Sequence, residues 1–284
     1  LQGAQGTQNT LESVEKVEAS TMRLARMEGT VLLEVDGGEP FEPVPDTRLL
    51  SGSEVLTEAL SRAGISLDET KAATVGELSR AQVAQEGQHL VMTISEGAMY
   101  FSVSEPLTDE ESFEIQTRTM VLGIRGTSGY VEAAGDNQTR IILTSGHSVI
   151  TTDSGTESSI EPGESVTVTV VNGVTGVTRE EVTPEDYPLL LLEELAMDEA
   201  MLDQADRQNG EGYAFSVLNQ LDKTYLEDNN FAAYAGDYHL AFTPVGFGIL
   251  GHGHVHHVGL ATNLSNVGFE VAEGHRCEAR GNGH

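Results

Sequence analysis

Short runs rich in valine, isoleucine and threonine fill residues 22–178, separated by clusters of glycine, aspartate, asparagine and serine. This alternation restricts the chain to a mainly β fold, because each run is strand-length and each cluster is turn chemistry. In SVTVTVV, Val166, Val168 and Val170 fall on one face and the threonines between them on the other, the mark of a strand with one face buried. The same grammar predicts strands at 30–35, 54–56, 64–67, 89–94, 99–103, 112–116, 128–132, 140–143, 148–152 and 165–171. ELSRAQVAQ (77–85) has a composition that suits a helix, but its place between strands favours strand and loop.

A weak repeat runs through this region: EGTVLLEV (28–35), EGAMYFSV (96–103) and SGHSVITT (145–152) each set an acidic or small residue, then glycine, before a strand. Glycine there suits a tight corner with positive φ. Repeated corners suit a β-solenoid or β-roll-like fold, or a strongly bent β-sandwich. The spacing is irregular, so a strict solenoid array is not expected.

Four regions follow. Residues 1–20 are a polar, flexible lead-in, 21–178 the β domain, 183–225 a helical extension and 226–284 a Gly/His-rich tail. The helix is announced by Thr183-Pro184-Glu185-Asp186, with apolar residues at 189, 192, 195, 196 and 202 and an end near Asn209-Gly210. YAFSVLNQLDKTYLED reads as a second short helix. The apolar face of the extension is expected to pack on the β domain, with partner binding as the alternative.

Formal net charge is −30, with 12 Arg and 3 Lys against 45 acidic residues, so nucleic acid and anionic membrane are repelled. Cys277 is the only cysteine, which excludes an intrachain disulfide and any CxxC site. The most apolar run, Pro188-Leu189-Leu190-Leu191-Leu192, meets Glu193 and Glu194 at once, so no membrane insertion is expected. Residue 1 is Leu, and the sequence is expected to be a processed or partial product.

No motif of catalysis stands out. GIRGTSG is neither GxxxxGK[ST] nor a complete GxGxxG, and GxSxG and HExxH are missing. No carboxylate pair can be placed on facing strands from the sequence, so a carbohydrate-active enzyme ranks third among the functions. The sharpest metal signal is GHGHVHHVG (251–259). In an extended strand His252, His254 and His256 point the same way, a spacing that can collect imidazoles on Zn, Ni or Cu. No other cofactor is expected. The acidic clusters at 108–111 and 226–230 do not match a DxDxDG calcium loop.

Taken together, MRLARMEGTVLLEV (22–35), SGSEVLTEALSRAGISLDETKAATV (51–75), LVMTISEGAMYFSVSEPL (90–107), FEIQTRTMVLGIRGTSGYVE (113–132) and TRIILTSGHSVITT (139–152) resemble the FecR domain family. The T-x-T-M-V-x-G-I-R-G-T block is the most specific part. The resemblance implies a non-catalytic, extracytoplasmic domain (secreted, cell-surface or periplasmic) that acts in envelope sensing or signalling through an envelope or surface protein or a glycan. Metal or metal-chelate sensing by the histidines is the second reading. Within the block, Gly123, Arg125, Gly126 and Thr127 are expected to form a structural turn. Its glycines would take conformations closed to other residues, and its arginine would clamp carbonyls or carboxylates of the next strand.

Overall fold

The computed structural model of the chain describes residues 22–227 and five short strands farther on. The strands of the β domain are β1 (Arg23–Glu28), β2 (Val31–Glu34), β3 (Glu54–Thr57), β4 (Arg62–Ser66), β5 (Lys71–Val75), β6 (Arg80–Glu86), β7 (His89–Val103), β8 (Ser112–Gln116), β9 (Met120–Ile124), β10 (Ser128–Ala133), β11 (Gln138–Ser145), β12 (Ser148–Thr152), β13 (Glu157–Ile160), β14 (Glu164–Val171) and β15 (Val174–Glu181). They join into one 15-stranded sheet.

The sheet is curled, and the long strand β7 is the reason. Its first part pairs with β6 and, in parallel, with β8; its second part pairs with β5 and β10. One half of the sheet therefore runs β1-β4-β5-β7-β10-β11-β14-β15 and the other β2-β3-β6-β7-β8-β9-β12-β13. The two halves enclose a single apolar core. Met99, Phe101, Val131, Ile141 and Val166 enter it from the first half, and Val55, Val83, Met92, Ile115 and Leu122 from the second. Burial of a side chain the size of Phe101 contributes about 2–3 kcal/mol.

From β2 onward the chain lays two strands in one half, crosses, and lays two in the other, except that the second part of β7 stands alone on its visit to the first half. The crossings explain the repeat seen in the sequence. Gly29, Gly97 and Gly146 all have positive φ (69°, 83° and 82°). At Gly29 and Gly97 the following amide donates to a serine hydroxyl of a neighbouring corner, Thr30 to Ser61 Oγ at 2.9 Å and Ala98 to Ser79 Oγ at 2.9 Å. A Cβ at Gly97 would overlap Ser79, and one at Gly146 would overlap Thr127, so the corners stack too closely for a side chain. The mainly β fold thus takes the strongly bent form.

After β15 a single helical turn at Pro184–Asp186 precedes α1 (Leu189–Met197), α2 (Glu199–Asn209) and α3 (Tyr213–Glu227). Sequence periodicity predicted one helix from 184 to about 209; the structure has three pieces there. Pro188 holds the preceding residue Tyr187 extended (ψ 136°). Asp198 then breaks the next stretch, its side chain accepting from the Met201 amide at 3.1 Å to start α2 afresh. The helices lie on the outer face of the first half, where Tyr100, Tyr130 and Ile142 meet Leu191, Leu195, Met201 and Val217 in a second apolar cluster. Strands β16 (His239–Thr243), β17 (Gly246–Gly251), β18 (His254–Val258), β19 (Phe269–Ala272) and β20 (Arg276–Ala279) pair only among themselves, as β16-β17-β18 and β19-β20.

Candidate functional site

The Gly123-Ile124-Arg125-Gly126 block sits at the crossing from β9 to β10. Gly126 has φ 81° and lies against Pro106, whose Cα would be 3.1 Å from an added Cβ. Thr127 is fully buried and its Oγ1 accepts from Ser148 Oγ at 3.3 Å. Gly123 differs from expectation. It lies within β9 without positive φ, and a Cβ there would meet only the Val149 carbonyl at an ordinary 3.7 Å. Arg125 also differs, being exposed and making no ion pair or hydrogen bond among the described residues. It directly follows the core residue Ile124, but at the crossing its side chain turns out to solvent, so the expected clamp does not form.

Clamping falls to other arginines. Arg179 of β15 reaches across to β13, donating to Ser158 Oγ and the Ser159 carbonyl, and pairs with Glu164 at 3.2 Å. Arg26 of β1 and Arg62 of β4 hold the helical layer by ion pairs to Glu194 and Glu193 of α1. Glu194 also accepts from Thr74 Oγ1 at 2.7 Å, and Leu190 rests on Gly76, where a Cβ would approach it to 2.9 Å. The two glutamates that end the apolar run 188–192 therefore fix α1 to the sheet. At the other end of the layer, Asn209 donates to the Thr144 carbonyl at 2.8 Å and Gln208 accepts from the Gly146 amide at 2.6 Å. The apolar face of the extension is spent on the β domain.

A cleft of about 150 Å³ opens where the β4-β5 and β6-β7 turns meet the loop before β8, lined by Leu67, Lys71, Gln85, Leu90 and Glu111 among others. Lys71 is 5% exposed and sits between Asp68 Oδ2 and Glu111 Oε1, each at 2.8 Å. Burial works against its charge, but the hydrogen bonds to the two carboxylates more than offset this and raise its pKa. Hydrogen bonds from Lys71 and from the Thr108 amide and hydroxyl pull Glu111 down to about 2. Asp68 is lowered as well, burial being outweighed by Lys71 and Thr70. Two carboxylates doing acid–base work need pKa values pushed apart, one of them upward. Here both go down around one ammonium, an arrangement that ties the β4-β5 turn to the loop before β8 and keeps both carboxylates ionised near neutral pH.

The helical layer holds the reverse case. Asp222 of α3 is buried, neither carboxylate oxygen has a hydrogen-bond partner among the described residues, and burial pushes its pKa up to about 7. At the start of the same helix, Tyr213 shares a hydrogen bond of 2.7 Å with Tyr187, and burial raises both hydroxyls.

Of the proposed metal ligands, His252 lies outside the described residues. His254 and His256 lie in β18, opposite Gly251 and Ile249 of β17. No cluster of three or more His, Cys, Asp or Glu that could hold a metal occurs among the described residues. No helix among them is long and apolar enough to cross a membrane.

The last strand of the domain, β15, escaped the sequence reading. Among the described residues it pairs with β14 alone, and almost all of it is exposed. The signal was present: Asn172-Gly173, with φ 52° and 75°, forms the two-residue turn that joins the strands. Together with β13 it forms the C-terminal margin of the sheet.

Residues 53–175 match the family model described as FecR protein. Among solved structures, the chain is similar to two crystal structures of a "putative anti-sigma factor" from Parabacteroides distasonis ATCC 8503. The one at 1.65 Å has 18% identity and a TM-score of 0.39, over 45% of this chain and 60% of that one. The one at 2.50 Å has 14% identity and a TM-score of 0.39, over 70% of this chain and 98% of that one. The chain thus spans less than two thirds of the first of these. Comparison with curated proteins finds no match. The family match begins in the loop before β3 and ends inside β15, taking in the Gly-strand corners at Gly97 and Gly146 and the whole Gly123-Ile124-Arg125-Gly126 block, so the likeness to the FecR family is carried by residues 53–175 of the β domain.

Proposed function

We propose that the chain is a non-catalytic signalling or sensing protein that works outside the cytoplasm by binding a partner protein or a surface glycan. The FecR match carries this reading, since FecR signalling proteins are regulatory and interact with partner proteins. The chemistry of the cleft supports it. A carbohydrate-active enzyme needs one carboxyl held protonated, whereas Asp68 and Glu111 are both held ionised by Lys71. The extracytoplasmic setting is supported by the family resemblance and by the net charge of −30, which suits a chain kept soluble by self-repulsion.

The test is retention of a partner from a cell-envelope fraction of the source organism by the immobilised full chain. A specific protein or glycan should be retained, and released by excess free chain. Retention of neither, or measurable hydrolysis of envelope polysaccharide by the purified chain, overturns the reading.

A further inference from the structure

We propose that β15 is a docking edge, at which a basic, extended segment of a partner protein adds as a further strand. This rests on the reading of the chain as a protein-binding module and names the surface and the chemistry that it uses.

The register fixes which groups are free. Val171 and Val174 flank the two-residue turn and are the first hydrogen-bonded pair of the hairpin, so hydrogen bonding to β14 falls at Val174, Gly176, Thr178 and Glu180. The backbone N–H and C=O groups of Thr175, Val177 and Arg179 then point away from β14. The opposite strand agrees, since Val170, the partner of Thr175, turns its amide to the Asn137 carbonyl at 2.8 Å, on the far side of β14. Among the described residues nothing bonds to the outward backbone N–H and C=O groups of β15. Val174 and Val177 are exposed apolar side chains along the strand, with Val171 beside them across the turn, while Thr175 and Arg179 reach from one face to Asp153 and to Ser158 and Ser159. A row of unpaired backbone groups flanked by exposed valines is a template for strand addition.

Charge selects the occupant. Glu157, Glu164, Glu180 and Glu181 lie on β13 to β15, against one base, Arg179, which Glu164 already neutralises at 3.2 Å. A second copy would bring the same acids and another −30 of net charge to the edge, so self-pairing is disfavoured. A segment alternating lysine or arginine with β-branched residues supplies backbone partners, apolar contact for the valines and opposite charge for Glu180 and Glu181.

The probe is an eight-residue peptide alternating lysine and valine, with its glutamate–valine counterpart as control, added to the full chain. Amide hydrogen exchange should slow at Thr175, Val177 and Arg179 with the lysine peptide alone. Val177→Pro removes an outward donor without touching the ladder to β14, so it should weaken binding at least tenfold with an unchanged melting temperature. Val177→Thr keeps the donor and should bind as the parent does. Four outcomes overturn the proposal: protection spread over the acidic surface, binding that survives Val177→Pro, protection of the three amides before any peptide is added, or a dimer that buries them. A partner retained from the envelope fraction that leaves these amides unprotected sinks the docking edge while leaving the reading as a binding protein intact.

Discussion

At its N-terminal end the sheet is closed by its own chain, and at its C-terminal end it is not. The segment 37–50 folds back over both early edges. It exchanges hydrogen bonds between Phe41 and Leu33 of β2 (2.8 and 3.0 Å), then between Thr47, Asp46 and Leu24 of β1 (2.9 Å each). It is anchored by Leu49, fully buried in the core. At the other end, among the described residues, β15 is joined to the neighbouring margin by the side chains of Arg179, to Ser158 and Ser159 of β13, and of Thr175, to Asp153 in the turn before β13 at 2.9 Å. An edge strand left bare is a liability that folds normally cover. One sheet that covers one margin and leaves the other open has separated a structural end from an end available for contact.

The largest effect should come from breaking the closed end. Leu49→Ala removes the strap's anchor and leaves a cavity in the common core, so we expect a loss of about 2–4 kcal/mol, read as a lower denaturant midpoint. An effect below about 1 kcal/mol would mean that the strap lies on the edges without closing them.

Next in size is a change that should act on neither end. Asp222, under the helices, holds its proton up to about pH 7 when folded and releases it near pH 4 when unfolded. Stability should therefore fall as pH rises from 4 to 7 and stay reduced above that. Asp222→Asn should remove this slope and raise stability at pH 8 by about 1–2 kcal/mol, the shift being discounted for solvent screening. Thermal melts from pH 4 to 8 check it, and parallel curves for the two proteins would show that the carboxyl is ionised in the fold.

Much of this architecture was legible in the sequence because it depends on local chemistry. The Gly-then-strand repeat gave the corners at Gly29, Gly97 and Gly146, for positive φ is a property of the residue itself. The two ends were harder. Segment 37–50 holds Pro40, Pro43 and Pro45 and reads as a loop, since proline cannot donate to a ladder; that it covers both β1 and β2 is decided by tertiary packing. Strand β15 had its Asn172-Gly173 turn in plain view, but its exposed sequence VTGVTREE shows no buried face to periodicity. The parallel pairing of β7 with β8 has no local signal at all.

Arg179→Ala tests the open end. Removing its contacts to Ser158, Ser159 and Glu164 should cost about 1 kcal/mol, because the side chain is partly solvated and the backbone ladder to β14 stays intact. Hydrogen exchange should quicken at β13 and β15 and remain slow at β1 and β2. Faster exchange at both ends would show that the two margins are coupled, and the contrast between them would then be false.

The smallest effect is expected at the arginine that the sequence made most conspicuous. Arg125 stands between Ile124, which enters the core, and Gly126, whose positive φ turns the chain to the other half of the sheet. A buried guanidinium there would have served both halves, as Arg179 does at the margin. Because it is exposed and unpaired among the described residues, Arg125→Ala should shift stability by less than about 0.5 kcal/mol, whereas Gly126→Ala, in the same turn, should cost about 1–2 kcal/mol. Equal losses at the two positions would show that the arginine is held in the turn after all. A silent Arg125→Ala that also loses the partner retained from the envelope fraction would extend the contact surface from the open margin to this corner.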